Sequence, residues 1–155
     1  MHPNAQLLTD FYAGFSKQDP APMVKVYAPD AEFSDPAFPN LRGSEIGDMW
    51  TMLCERAKDF SLEFRDVQAD DTKGSAHWEA KYTFRTGRKV HNLIDATFAF
   101  KDGKVIKHVD DFDFWKWSRM ALGAPGMLLG WSGFLKGKVQ GQAAKGLKEF
   151  RARRS

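Results

Sequence analysis

Apolar side chains in the first part of the chain recur at spacings of three and four residues, which predicts helices. The first such run covers residues 4–28, and Asp19-Pro20 divides it into two helices that form a hairpin. Residues 31–35 alternate between polar and apolar and predict a short strand. A third helix is predicted from Ser44 to near Asp59, and its apolar stripe comprises Ile46, Met49, Trp50, Leu53 and Ala57.

A period of two replaces the helical spacing after residue 60 and predicts four strands. Residues 61–68 alternate imperfectly and residues 75–86 alternate cleanly. The last two strands lie within residues 91–117 and are joined by a turn at Asp102-Gly103. Two helices, a strand, a helix and a four-strand meander predict an α+β fold, with a curved antiparallel sheet packed on the N-terminal helices.

The turn between the last two strands decides which polar side chains face the core. A two-residue turn pairs Phe100 with Val105 and brings Asp111 onto the face of the phenylalanines. A three-residue turn with a bulge pairs Phe100 with Lys104 instead. We choose the second, because its inner face is mostly apolar: Asn92, Ile94, Ala96, Phe98, Phe100, Ile106, His108, Asp110, Phe112 and Phe114. The carboxylates that then face outward are Asp95, Asp111 and Asp113.

Residues 118–155 form a basic, Gly-containing extension to a domain of residues 1–117, and we do not expect it to be an independent domain. From Lys116 onward the chain has nine Lys and Arg against Glu149 alone. Residues 134–154 predict a helix, although its glycines each cost up to about 1 kcal/mol relative to Ala. Three alternatives remain open: packing on the body or on a partner, which we favour; a solvated tail; or contact with an anionic membrane surface or nucleic acid.

Composition narrows the class of protein. The chain has 155 residues, 14% aromatic residues and one cysteine, Cys54, which excludes an internal disulfide and fits a reducing cytoplasm. It begins with no signal-like segment and has no apolar run long enough for a membrane span. No inward-facing cluster has metal-ligand spacing, and no phosphate loop, serine elbow or dinucleotide fingerprint is present. We therefore predict a cytoplasmic protein with no cofactor, no metal and no nucleic-acid partner.

Four motifs, in order across residues 7–117, resemble the nuclear transport factor 2-like superfamily. They are FYAGFSKQD, YAPDAEFSDPAF, LRGSEIGDMW and FAFKDGKVIKHVDDFDF. The resemblance is greatest to the SnoaL-like polyketide cyclase and ketosteroid isomerase-like branches. It implies a cone-shaped sheet with an apolar pocket, and a homodimer formed through the outer sheet face. The superfamily contains isomerases, cyclases, dehydratases, epoxide hydrolases and non-catalytic binding modules, so the activity must be argued from the site.

Three residues are the catalytic candidates. His108 and Asp110 lie two residues apart on the inner strand face, where desolvation would raise the pKa of a carboxyl towards the range useful for acid/base catalysis. The SnoaL-like branch carries a His and an Asp in the corresponding strand, which supports this assignment. Asp35 lies in a Ser-Asp-Pro run that resembles the isomerase segment holding the proton-shuttling Asp. The alternative is structural: a satisfied buried pair, and an Asp that caps a proline turn.

The resemblance disfavours true steroid isomerase activity. That chemistry needs a Tyr and a protonated Asp to stabilise a dienolate oxygen. The matching positions here are Phe11 and Ala96, whereas Tyr12 and Asp95 are each one position away.

The resemblance implies that the ligand is an apolar small molecule in a conical pocket. The residues expected to contact it are Tyr27, Trp50, Trp78, Tyr82, Asn92, Phe98 and Phe112. The function that we favour is a cofactor-independent acid/base isomerase, cyclase or hydro-lyase. The alternative is a non-catalytic lipophile-binding or dimeric accessory module with the same pocket.

Overall fold

Six strands form one curved, open sheet in a computed structural model that describes residues 1–130 and 132–154. Trp131 and Ser155, which belong to the predicted C-terminal extension, lie outside the described residues. In chain order the elements are α1 (Pro3–Ser16), α2 (Ala21–Val24), β1 (Tyr27–Ser34), β2 (Leu41–Arg42), α3 (Ser44–Arg56), β3 (Lys58–Ala69), β4 (Lys73–Thr83), β5 (Lys89–Lys101), β6 (Lys104–Asp111), α4 (Phe114–Leu122), α5 (Ala124–Leu129) and α6 (Gly133–Arg154).

The strand order across the sheet is β2-β1-β6-β5-β4-β3. The predicted α+β architecture is confirmed, with one difference: β1 runs parallel to β6, whereas the other neighbouring strands are antiparallel. On β5 the buried and exposed residues alternate, so that one face of the sheet is apolar and the other polar.

The N-terminal helices cover the inner face of the sheet. Leu8, Phe11, Tyr12 and Phe15 of α1 are buried in the same core as Trp50 of α3. The predicted helical run extended too far, because the chain leaves the helix after Ser16 and β1 begins at Tyr27, four residues before the predicted strand. The two-residue β2 falls in a segment that the sequence predicted as a loop.

The hairpin between β5 and β6 corrects the predicted turn. Lys101 pairs with Lys104 across a two-residue turn, in which Asp102 and Gly103 both have positive φ, 53° and 76°. A bulge follows at once, since Phe100 pairs with Val105 but Ala99 pairs with Lys107. The extra residue is Ile106, so Val105 is buried in its place.

The bulge has the effect that the predicted three-residue turn would have had. Beyond it, Phe98 pairs with His108 and Ala96 with Asp110, and both polar side chains face the core. Asp95 and Asp111 are exposed on the other face. Asp113 is exposed as predicted, although it lies beyond the sheet, because β6 ends at Asp111. Its carboxylate accepts a hydrogen bond from the backbone N–H of Lys116 as the N-cap of α4.

The C-terminal segment packs on the body through α6. Leu147 and Phe150 are buried in the main core, and Arg151 Nε donates to Asp48 of α3 over 2.8 Å. Gln140 donates to the carbonyl of Pro36 over 3.0 Å. The boundary predicted between residues 117 and 118 falls within α4. Across the described ranges, none of the helices combines the length and apolarity that a membrane crossing requires.

Candidate functional site

A cavity of about 390 Å³ lies between the inner sheet face, α3 and α6. Its apolar walls include Phe15, Phe38, Trp50, Trp78, Ile94 and Phe112. The polar side chains in its walls include Asp35, Tyr82, Asn92 and Asp110. Two carboxyl groups, Asp35 directly after β1 and Asp110 on β6, therefore face one mostly apolar space.

Asp110 projects from β6 into this cavity and is held from behind by His108. Both residues are almost fully buried, with 3% and 1% of their surface exposed. Nε2 of His108 lies 2.8 Å from Oδ1 of Asp110. Oδ2 of Asp110 makes no hydrogen bond to a described residue.

A series of hydrogen bonds fixes the proton on His108. Indole N–H groups only donate, so Trp50 Nε1 donates to Tyr27 Oη over 2.9 Å. Burial raises the pKa of Tyr27 well above its ordinary value, so the phenol stays protonated and donates to Nδ1 of His108 over 2.8 Å. His108 Nδ1 is then the acceptor, and Nε2 carries the proton that is donated to Asp110.

Aromatic rings enclose the imidazole of His108. The Phe98 ring centroid lies 4.2 Å from that of His108, and the Phe33 centroid lies 4.9 Å away with the two ring planes at 83°. This packing keeps water from the hydrogen bond between His108 and Asp110 and restricts rotation of the ring.

Asp35 both caps a turn and lines the cavity. Its Oδ1 accepts hydrogen bonds from the backbone N–H groups of Ala37 and Phe38, at 2.7 and 2.6 Å, so it does cap the proline turn. It also lines the cavity. The pKa of Asp35 is raised to about 7, mainly by burial and in smaller part by the charge of Asp110, while the two backbone donors oppose the shift.

Most of the predicted site residues meet at the cavity, and three do not. Trp50, Trp78, Tyr82, Asn92 and Phe112 line it together with the two carboxyl groups. Tyr27, Phe98 and His108 are not among the described residues that line it, and the ligand contacts of the first two stay predictions. These three side chains form a layer behind Asp110 instead.

The resemblance to the isomerases predicted no role for Tyr12, because it lies one position away from the matching residue, Phe11. It is fully buried, and its hydroxyl has no hydrogen-bond partner among the described residues. Burial raises its pKa well above the ordinary value, with a further contribution from the nearby charge of Asp110. Neighbouring residues on a helix lie about 100° apart, so a helix buried over a wide face can direct both Phe11 and Tyr12 inward.

Several features of the cavity could not be predicted from the sequence. Trp78 Nε1 is a second buried donor without a partner in the described part of the chain. Arg56, Arg85 and four residues of α6, Val139, Gln142, Ala143 and Gly146, also line the cavity. Contacts between residues so far apart in sequence leave no local pattern. Over residues 1–130 and 132–154, no three His, Cys, Asp or Glu side chains are grouped so that they could hold a metal ion.

Solved structures show that this fold is of the nuclear transport factor 2-like class. A protein of unknown function of that class from Burkholderia pseudomallei has a TM-score of 0.69 at 16% identity, over 79% of this chain and 99% of that one. An epoxide hydrolase from M. tuberculosis has a TM-score of 0.65 at 15% identity, over 81% and 92%. A putative polyketide cyclase from Xanthomonas campestris pv. campestris has 0.64 at 17%, over 76% and 96%.

The sequence itself gives the family. The model of the SnoaL-like domain matches residues 8–108, about two thirds of the chain. The chain therefore belongs to the SnoaL-like domain family, as the four motifs predicted. No curated protein sequence matches it.

Proposed function

We propose that this protein catalyses proton transfer on an apolar small molecule bound in the cavity, as a cofactor-independent isomerase, cyclase or hydro-lyase. The observation that carries the proposal is the pair of carboxyl groups, Asp35 and Asp110, in the wall of one mostly apolar cavity. Carboxyl groups in such surroundings are costly to bury, and they are common where a proton must be moved to or from carbon.

The two carboxyl groups have different surroundings, which supports separate roles. A pKa of about 7 lets Asp35 exchange a proton near neutral pH, where general acid/base catalysis is most effective. Asp110 is oriented through Oδ1 by His108, so that Oδ2 remains for the ligand. His108 touches Asp110 and not the cavity, so it is a positioning residue.

One donor in the cavity wall fits a ligand that carries an oxygen atom. The Asn92 side chain lines the cavity and makes no hydrogen bond to another described residue. A carbonyl oxygen that accepted from its amide would gain stabilisation as negative charge develops on it. A ketone-bearing apolar substrate therefore fits the wall better than a pure hydrocarbon.

Deuterium exchange at carbon tests the proposal without knowledge of the natural substrate. Wild-type protein incubated with 2-tetralone in deuterium oxide should speed deuterium incorporation next to the carbonyl, as measured by mass spectrometry. Asp35→Asn and Asp110→Asn should each slow this exchange by about 10²- to 10⁴-fold, the usual contribution of one acid/base group. Asp95→Asn, on the exposed face of β5, serves as the matched control and should exchange at the wild-type rate.

Equal exchange rates in wild type and both cavity variants would contradict catalysis by these carboxyl groups. Saturable binding of 2-tetralone without exchange would favour the non-catalytic accessory module. Mass spectrometry of small molecules that co-purify with the protein would supply a natural ligand for the same assay.

A further inference from the structure

Two arginines line the solvent-exposed part of the cavity wall. Arg56 is the last residue of α3, and Arg85 follows β4. Within residues 1–130 and 132–154, neither guanidinium lies within ion-pair distance of an Asp or Glu. Arg42, Arg65 and Arg151, in contrast, each contact a carboxylate.

Neutral groups hold both guanidiniums in place. Arg56 Cζ lies 5.4 Å from the ring centroid of Phe150, a buried residue of α6. Arg85 donates to Oε1 of Gln142, also on α6, over 2.6 Å, and its Cζ lies 5.2 Å from the Phe84 centroid. A guanidinium has five N–H donors, so these contacts leave most of the donors of each arginine for another group.

The positive and negative groups of the cavity therefore lie in different parts of its wall. Positive groups without carboxylate partners lie where the wall is exposed, whereas the carboxyl group of Asp110 is buried and that of Asp35 is half-buried. The wall between them is mainly aromatic and aliphatic. An anion placed deep in the cavity would be repelled by the carboxylates, whereas an anion at the exposed part would be attracted by the positive charges of Arg56 and Arg85.

We infer that the ligand of this cavity is an amphipathic anion, with a carboxylate or phosphate group bound by Arg56 and Arg85 and an apolar body directed towards Asp35 and Asp110. Guanidinium forks match the oxygens of both anion types. The inference rests on the proposed function in that both place the ligand in one cavity. It adds a substrate class, and it gives the arginines the role of setting the direction in which the substrate enters.

A pair of fluorescent probes that differ in one charge tests the inference. The anionic probe is 8-anilinonaphthalene-1-sulfonate, and the neutral probe is N-phenyl-1-naphthylamine, which has the same rings without the sulfonate. In the double variant Arg56→Gln/Arg85→Gln, the Kd of the sulfonate should rise about 3- to 10-fold, as expected for two exposed charge contacts. The Kd of the neutral probe should stay within about twofold.

Two controls separate the cavity from the rest of the surface. Arg42→Gln/Arg65→Gln makes the same change in net charge away from the cavity and should leave both Kd values unchanged. Gly146→Trp should weaken both probes, because Gly146 lines the cavity and a Cβ there meets no atom within 4 Å. Gly141→Trp, at a position on α6 that is equally open but is not among the described lining residues, should weaken neither.

Competition identifies the anionic group. Dodecanoate or dodecyl phosphate should displace the neutral probe from wild type at lower concentration than dodecanol, and this advantage should disappear in Arg56→Gln/Arg85→Gln. Equal displacement by dodecanol would overturn the inference, and so would a sulfonate Kd that is unchanged in the double variant. Binding is measured here without turnover, so lost deuterium exchange and lost anion preference are separate results.

Discussion

The hydrogen bonds from Trp50 through Tyr27 to His108 end on the one carboxyl group of β6 that faces the cavity. Each member has one role: the indole donates, the phenol accepts and donates, and the imidazole accepts and donates. The direction of donation is thus set by Trp50, which cannot accept. This gives the Asp110 carboxyl a fixed orientation in an otherwise apolar wall.

Tyr27→Phe removes the middle of this series and keeps the ring. Trp50 Nε1 then loses its acceptor and His108 Nδ1 its donor, and each is left buried without a partner. We expect the free energy of unfolding to fall by about 1–3 kcal/mol, as measured by urea denaturation. Tyr82→Phe, which breaks one bond from Trp117 at a less buried site, should cost less. Equal stability of Tyr27→Phe and wild type would mean that the series contributes nothing.

Asp35 makes stability depend on pH. Its pKa is about 7 in the folded protein and lies near 3.8 in an ordinary setting, so the folded state binds the proton more tightly between these values. The free energy of unfolding should therefore fall as the pH rises from about 4 to 7. This difference between the two pKa values of Asp35 corresponds to a loss of at most about 4 kcal/mol in the free energy of unfolding.

Asp35→Asn should flatten this dependence, because the amide keeps an oxygen acceptor for the two backbone donors and cannot ionise. Urea denaturation of both proteins across the window measures the difference, with Asp95→Asn as the control on an exposed carboxyl. A constant difference between wild type and Asp35→Asn at every pH would contradict the raised pKa.

Helix α6 shows how tertiary packing overrides a weak local preference. Its glycines disfavour a helix in isolation, yet Leu147, Phe150 and Arg151 attach it to the body. At Gly137 a Cβ would meet no atom within 4 Å. Gly137→Ala should therefore raise the free energy of unfolding by up to about 1 kcal/mol, as measured by urea denaturation.

Gly14 is the matched opposite case on α1. A Cβ there would overlap Cγ of Pro22, which belongs to a ring that cannot rotate away. Gly14→Ala should destabilise the protein. A stability gain in both variants, or in neither, would show that helix propensity does not decide the outcome.

Local periodicity was sufficient for most elements, and it failed where the determinant was distant or very short. The clean alternation of β4 and β5 predicted both strands, whereas the two residues of β2 are too few for a pattern. Val105 and Ile106 are both branched and apolar, so the sequence could not tell which one the bulge would expel. His108 and Asp110 were still predicted to face the core, because the strand register beyond the bulge is the same whether Val105 or Ile106 is the extra residue.

At the scale of the whole molecule, the outer face of the sheet carries exposed side chains that a second copy could cover. We propose that it forms a homodimer, as the family resemblance implies. Leu93 of β5 is 42% exposed on this face, between side chains that are already satisfied in pairs: His77 with Asp95, and His91 with Glu79. An exposed leucine amid paired charges suits the centre of an interface.

Leu93→Glu should convert the dimer to a monomer, because a buried carboxylate would face its own copy across the two-fold axis. Light scattering coupled to size-exclusion chromatography measures the mass. Met127→Glu, on α5 and 53% exposed, is the control and should remain dimeric. A wild-type protein of monomer mass would contradict the proposal.

Residues of α6 form part of the cavity wall, which has a consequence for how the ligand selectivity of such proteins can change during evolution. The SnoaL-like match ends at residue 108, so the wall residues Val139, Gln142, Ala143 and Gly146 come from chain beyond the matched region. Mutations that lengthen, shorten or recompose this segment can therefore change which molecules enter while leaving Asp35 and Asp110 undisturbed. Under the proposed function, selectivity and chemistry would be inherited as separable parts, and replacing α6 with a foreign C-terminal helix becomes a route to new specificity.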